Sequence, residues 1–190
     1  MGKFIVSLLL GFILFPVVVY MYLASGSMDV ATSAPPLPME KTLANLAIHA
    51  RMEKEMPHTV PLKPDEPTLL AGAKVYDEHC ATCHGLPNQP APVIAKGMYP
   101  HAPQLLEKDG MVTDDPPGES FWKVKNGIRL TGMPGFSTAL TKDEIWQVSL
   151  LLANADKLPA SVQRTLASAP LNIGALSPAP GPSPAPATVP

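Results

Sequence analysis

The fold depends on the stretch Cys80-Ala81-Thr82-Cys83-His84-Gly85. Two thiols at this spacing can each add across a haem vinyl group, and the histidine that follows is then placed to bind the iron axially. A redox dithiol followed by an incidental histidine is the alternative. Against it, these are the only two cysteines in 190 residues, and no strand-helix-strand pattern of a thioredoxin-like fold precedes them. The motif therefore predicts one covalent haem c, attached at Cys80 and Cys83, with His84 as an iron ligand.

Composition limits the size of the folded part. The chain has 24 unevenly spread prolines, so much of it cannot belong to a compact core, and we expect one small domain. The net charge of −2 gives no reason to expect a nucleic acid as partner. A domain of about a hundred residues buries only a modest core, so a large apolar cofactor would serve as part of that core.

An uncharged apolar run follows Lys3 and covers residues 4–24. At about 1.5 Å per residue, a helix of this length spans a hydrocarbon core of about 30 Å. Because a cleavable signal has an apolar stretch of only about 7–15 residues, residues 1–25 are predicted to be a transmembrane anchor. Cleavage stays open, since Ala24-Ser25-Gly26 offers small residues to a peptidase. With Lys3 inside, the remainder lies on the periplasmic or extracytoplasmic side of the inner membrane.

A linker is predicted over residues 26–64, with one short helix at about 42–56 that Thr42 caps. Four prolines then break any helix, at positions 57, 61, 64 and 67. We therefore place the domain boundary near Asp65, and the haem domain over residues 66–158. After Arg164 the chain carries no charge and is rich in proline, alanine and serine, so residues 165–190 are predicted to be a disordered tail.

Three helices are predicted within the haem domain. The first opens at about Pro67 or Thr68, and its Gly72 weakens a helix unless another backbone approaches closely, which indicates a helix crossing. A short second helix covers about 118–126 and ends at a glycine. The third begins at a capping box formed by Thr141 and Glu144 and runs to about residue 154.

The sixth iron ligand is predicted to be Met133, in the loop Thr131-Gly132-Met133-Pro134-Gly135-Phe136. A thioether is a soft iron ligand, and the neighbouring proline stiffens the loop that presents it. Met98 is the main rival, Met111 has no stiffening neighbour, and His101 is a weak alternative. Met133 could instead be a buried filler, as most methionines are.

Residues from about 66 to 158 resemble a monohaem class I c-type cytochrome. The resemblance rests on an ordered set of features: Gly72 with Tyr76, the Cys80–Gly85 motif, Asn126-Gly127-Ile128, Gly132-Met133-Pro134-Gly135-Phe136, and Leu140-Thr141 with Glu144-Ile145-Trp146. It implies an all-α fold wrapped around one haem, with the first and last helices crossing near Gly72 and Trp146. It also implies that a proline carbonyl, that of Pro103 or alternatively Pro92, accepts a hydrogen bond from His84.

The chain departs from the family in the long proline-rich loop between His84 and residue 118. The length of this loop leaves undecided which proline supports His84 and which residues line the edge of the haem. Tyr99, Trp122 and Arg129 are the candidates to contact the haem propionates, and a surface or packing role is the alternative for each.

A haem iron with two protein ligands has no open position, so the expected activity is one-electron transfer rather than catalysis. The partners would be redox proteins: a quinol-oxidising complex, a dehydrogenase or a terminal oxidase. A haem subunit of a larger membrane oxidoreductase is the first alternative. A ligand-binding or peroxidatic haem protein with an open sixth site is the second.

Overall fold

The computed structural model describes residues 2–107 and 112–168, and every regular element in these ranges is helical. Two compact units occur, Met1–Pro38 and Met39–Pro190. The helices are α1 (Gly2–Ala24), α2 (Glu40–Glu55), α3 (Glu66–His79), α4 (Ala81–His84), α5 (Val93–Lys96), α6 (Pro117–Asn126), α7 (Lys142–Ala153) and α8 (Ala160–Ser168). The all-helical prediction is confirmed.

The first unit contains α1, a helix of 23 residues in which an 18-residue window has a mean hydropathy of 2.6. Its length and composition are sufficient to cross a membrane, and Pro16 lies inside it. A proline is tolerated in a membrane helix because neighbouring groups can satisfy the freed backbone carbonyl. The predicted span over residues 4–24 therefore coincides with a continuous helix.

Helix α2 begins at Glu40, two residues before the predicted cap at Thr42. Its N-cap is Met39 in a left-handed conformation (φ 65°), without a capping side chain. Thr42 thus lies inside the first turn, where its side chain caps nothing. The error arose because Thr42 was the polar residue of capping type nearest to the apolar run, whereas the helix here starts without one.

The second half of the predicted linker packs on α6. Met52 of α2 is buried, and Glu55 accepts a hydrogen bond of 3.2 Å from the indole N–H of Trp122. Gly118 of α6 lies so close to Pro57 that a Cβ on the glycine would collide with the proline carbonyl oxygen. The compact unit that contains α3 therefore begins at Met39, whereas the boundary of the haem domain near Asp65 stays a prediction.

The core is centred on the crossing of α3 and α7. A Cβ on Gly72 would collide with the carbonyl oxygen of Gln147, so only glycine allows the two backbones this approach. Trp146 is buried beside the crossing, and its ring stacks on Phe121 of α6 with centroids 4.2 Å apart. The crossing predicted at Gly72 and Trp146 is present.

The capping box at the start of α7 forms as predicted. The Thr141 hydroxyl accepts a hydrogen bond from the backbone N–H of Glu144, and the Glu144 carboxylate accepts one of 2.8 Å from the backbone N–H of Thr141. The Thr141 hydroxyl also donates to the Glu144 carboxylate at 2.7 Å. This hydrogen bond, followed by the one from the Thr141 N–H, lowers the pKa of Glu144 because both stabilise its ionised form. The helix then runs to Ala153.

Helix α8 was not predicted. It packs on α3 through Val162 and Leu166, both fully buried, and the Ser161 hydroxyl donates to the Glu66 carboxylate. The compact domain therefore extends past residue 158. The predicted start of the tail at residue 165 is wrong because residues 165–168 are helical, and residues 169–190 lie outside the described part of the chain.

Candidate haem site

The motif Cys80–Gly85 lies where α3 passes into α4. Asp65 caps α3 by accepting a hydrogen bond of 3.1 Å from the backbone N–H of Thr68, and the helix delivers Cys80 at its C-terminal end. The Cys80 carbonyl accepts hydrogen bonds from the N–H groups of Cys83 (3.0 Å) and His84 (2.8 Å). The two thiols and the imidazole are thus fixed on one tight turn.

Both thiols are free and partly buried. Burial raises the pKa of the Cys80 thiol to about 12, and nearby Cys83 adds to the shift. Burial also raises the pKa of the Cys83 thiol. Both groups are therefore neutral thiols at pH 7. Within the described residues, no cluster of three or more His, Cys, Asp and Glu side chains could hold a metal ion.

The imidazole of His84 is oriented by Pro103. Its Nδ1 lies 2.7 Å from the Pro103 carbonyl oxygen, which can only accept, so Nδ1 carries the proton and donates. Burial lowers the pKa of His84, and the contact with Pro103 partly offsets that shift. The ring is therefore neutral, with its Nε2 lone pair available to a metal. This is the hydrogen bond expected of Pro103, whereas Pro92 packs beside Gly85.

The backbone directly after His84 is held by Tyr76. The buried Tyr76 hydroxyl donates a hydrogen bond of 2.9 Å to the carbonyl oxygen of Gly85, and burial raises the pKa of this phenol. In the sequence, Tyr76 contributes with Gly72 to the resemblance to class I cytochromes, and no hydrogen-bond partner is predicted for it. A tyrosine buried on the same helical face as Cys80 needs a hydrogen-bond partner, and that requirement was the available signal.

The loop that carries Met133 is held by two backbone hydrogen bonds, one to the segment just after α6 and one to α6 itself. The N–H of Ile128 donates to the Met133 carbonyl (3.1 Å), and the N–H of Phe136 donates to the Val124 carbonyl (2.9 Å). Inside the loop the Thr131 hydroxyl accepts from the Met133 N–H at 3.1 Å and lies 2.7 Å from the Ile128 carbonyl. Met133 is partly buried against the core.

One ring contact and a shared hydrophobic core relate this loop to the motif. The rings of His79 and Phe136 meet edge to face with centroids 6.1 Å apart. Cys80 and Met133 also pack against the same hydrophobic core. The structure thus places a thioether loop and a Cys-x-x-Cys-His turn around one core, and these residues fit haem c: two thiols for attachment, an oriented imidazole and a soft sulfur.

Residues 67–150 match the sequence model of a family described as cytochrome C oxidase, cbb3-type, subunit III. The domain is a c-type cytochrome. Its all-helical architecture is that of the class I cytochrome c fold, as predicted. No curated protein and no solved structure matches the chain. The matched segment of the cytochrome domain starts in the first turn of α3 and ends within α7, so α2 and α8 lie outside it.

The remaining candidates for the haem periphery differ in exposure and in hydrogen bonding. Tyr99 is partly exposed and Arg129 is exposed, and their propionate contacts stay predictions. Trp122 uses its only N–H donor on Glu55, a contact that the sequence did not indicate. Among the alternatives, His101 is exposed, and Met111 falls outside the described residues. Met98 is partly buried, and its thioether lies against Gly132.

Proposed function

We propose that the protein carries single electrons through one haem c, attached at Cys80 and Cys83, with His84 and Met133 as axial ligands. The bound haem supplies the Fe(III)/Fe(II) couple. The observation that carries the proposal is the hydrogen bond of 2.7 Å between His84 Nδ1 and Pro103, because it leaves Nε2 as the free coordinating nitrogen.

Backbone hydrogen bonds would hold the Met133 loop so that its thioether serves as the second iron ligand. The loop is closed by hydrogen bonds from Ile128 to Met133 and from Phe136 to Val124, and so it presents its sulfur from a fixed backbone. A position taken by protein sulfur does not admit oxygen or a substrate. The protein thus acts as an electron carrier and has no catalytic residues of its own.

Helix α1 would anchor the protein in the inner membrane, with the cytochrome domain on the periplasmic or extracytoplasmic side. Length and apolar composition of the helix support the anchor, and Lys3 at its start supports this orientation. The partners would then be membrane redox proteins: a quinol-oxidising complex, a dehydrogenase or a terminal oxidase.

A second candidate is a haem subunit of a larger membrane oxidoreductase. The description of the matched family, a subunit of an oxidase, favours a terminal oxidase among the three partner classes. Mild solubilisation followed by purification separates the two candidates. A free carrier runs alone, and a subunit copurifies with its oxidase in fixed ratio.

The test of ligation is Met133→Ala in the full-length haem-loaded protein. We expect the thioether-to-iron absorption band of the oxidised protein to disappear, and the reduced protein to bind carbon monoxide at neutral pH. Met39→Ala, at an exposed methionine, is the control and should keep the band. A band that persists in Met133→Ala would refute the ligand assignment, and carbon monoxide binding by the unmutated protein as fast as by Met133→Ala would indicate an open site.

A further inference from the structure

The side chain of Met98 occupies the space that a side chain at residue 132 would need. A Cβ built on Gly132 would lie 2.8 Å from Met98 Sδ, 3.0 Å from Cε and 3.2 Å from Cγ. Real Cβ atoms do not approach other atoms this closely, so the thioether packs directly on the backbone of Gly132. The residue it packs on is the immediate neighbour of Met133.

Met98 comes from the same loop that orients His84. It follows the short helix α5, where its N–H donates to the Ala95 carbonyl at 3.3 Å. Five residues later the Pro103 carbonyl accepts the hydrogen bond from His84. The segment 98–103 therefore contacts Gly132, the neighbour of Met133, through Met98 at its start. At its end it contacts His84 through Pro103.

The Met133 loop supplies little packing of its own at this point. Gly132 and Gly135 have no side chains, and Leu130 is almost fully exposed. The loop is held by backbone hydrogen bonds at its ends, and Met98 is the large apolar side chain placed on the residue before Met133. A flexible thioether suits this place because it fills an irregular gap.

We propose that Met98 is a positioning residue for the sixth iron ligand: its side chain covers Gly132 and holds the Met133 loop closed. This inference rests on the proposed function, in which Met133 binds the iron. The backbone of Gly132 lies outside the left-handed region, and the three atoms nearest to a Cβ at this position all belong to Met98, so the close contact with Met98 is what favours glycine here.

A double-mutant cycle on the full-length haem-loaded protein tests the contact. The readouts are the thioether-to-iron band and the rate at which the reduced protein binds carbon monoxide, which rises with the fraction of open loops. Met98→Ala removes the thioether that packs on Gly132. Gly132→Ala adds a Cβ that displaces the same thioether. We expect each single variant to weaken the band and to raise the rate about tenfold.

The double variant, Met98→Ala with Gly132→Ala, should return toward the unmutated protein, because the new Cβ enters space that the thioether has left. Met98→Leu keeps the bulk without the sulfur and should retain the band. Gly97→Ala is the matched glycine control, since its Cβ would meet the Ile94 and Val93 carbonyl oxygens at ordinary distances of 3.6 and 4.0 Å. If Gly132→Ala does not fold, the comparison of Met98→Ala with Met98→Leu still decides.

Additive single effects, or an unchanged band and rate in Met98→Ala, overturn the positioning role. If Met133→Ala loses the band while the cycle is additive, the inference fails and the proposed ligation stands. If instead Met98→Ala and Met98→Leu abolish the band and Met133→Ala keeps it, Met98 is itself the ligand, and both the inference and the ligand assignment fail.

Discussion

The two regions that hold the predicted iron ligands are built differently. His84 belongs to a turn of consecutive residues at the end of α3, and distant parts of the chain add one contact to its ring, from Pro103. Met133 lies in a loop whose shape depends on hydrogen bonds and close backbone contacts with α6. The first region is specified mostly by local sequence, and the second by tertiary packing, so we expect mutations to separate them.

The largest effect is expected from substituting two glycines that have nearly the same backbone conformation. Gly85 follows His84 (φ 73°, ψ 179°), and Gly127 faces the Met133 loop (φ 68°, ψ −177°), a region nearly restricted to glycine. A Cβ on Gly127 would lie 2.5 Å from the Gly135 nitrogen, whereas a Cβ on Gly85 would first meet the Gln104 side chain at 3.2 Å.

Gly127→Ala should therefore lower the free energy of unfolding by about 4 kcal/mol, as strain plus overpacking. Gly85→Ala should lower it by about 2 kcal/mol, mainly as strain. Denaturant titration measures both. Gly127→Ala should also lose the thioether-to-iron band while keeping its covalent haem. Equal losses in the two variants would show that the backbone contacts of the Met133 loop contribute nothing.

Tyr76→Phe tests the His84 region alone. Removing the hydroxyl leaves the buried Gly85 carbonyl without the donor it has at 2.9 Å, so the free energy of unfolding should fall by about 2 kcal/mol. The thioether-to-iron band should stay, because Tyr76 has no part in the loop that carries Met133. Loss of that band in Tyr76→Phe would contradict the independence of the two regions.

Thr131→Val should have the smallest effect on the free energy of unfolding among the three tests. It keeps the shape of the side chain but removes the hydroxyl that accepts from the Met133 N–H and pairs with the Ile128 carbonyl, at a cost of about 1 kcal/mol. Thr131→Ser keeps the hydroxyl and serves as the control. A denaturation curve of Thr131→Val that coincides with the control would remove Thr131 from the description of the loop.

The sequence was most informative where the signal is local. The glycine at the α3–α7 crossing and the capping box at Thr141 are signals of a few residues each, and the structure confirms both. The attachment of haem at the Cys80–Gly85 motif stays a prediction of the same local kind. Local signals also misled, because Thr42 is a good capping residue that the helix does not use.

The missed features all depend on contacts between distant segments. Helix α8 buries two large apolar side chains, Val162 and Leu166, and two such residues do not make a pattern that predicts a helix packed on α3. The hydrogen bond from Tyr76 to Gly85 and the packing of Met98 on Gly132 require the loop geometry. Ligand types could thus be read from the sequence, whereas the contacts that position them needed the fold.

Helix α8 and the segment from Met39 have a consequence for the unit that can be transplanted or expressed alone. A fragment cut at the limits of the family match, residues 67–150, would lack the Asp65 cap and the last residues of α7. It would also expose the face of α3 that Val162 and Leu166 cover. The transplantable module is residues 39–168, more than half as long again as the segment that matches the family.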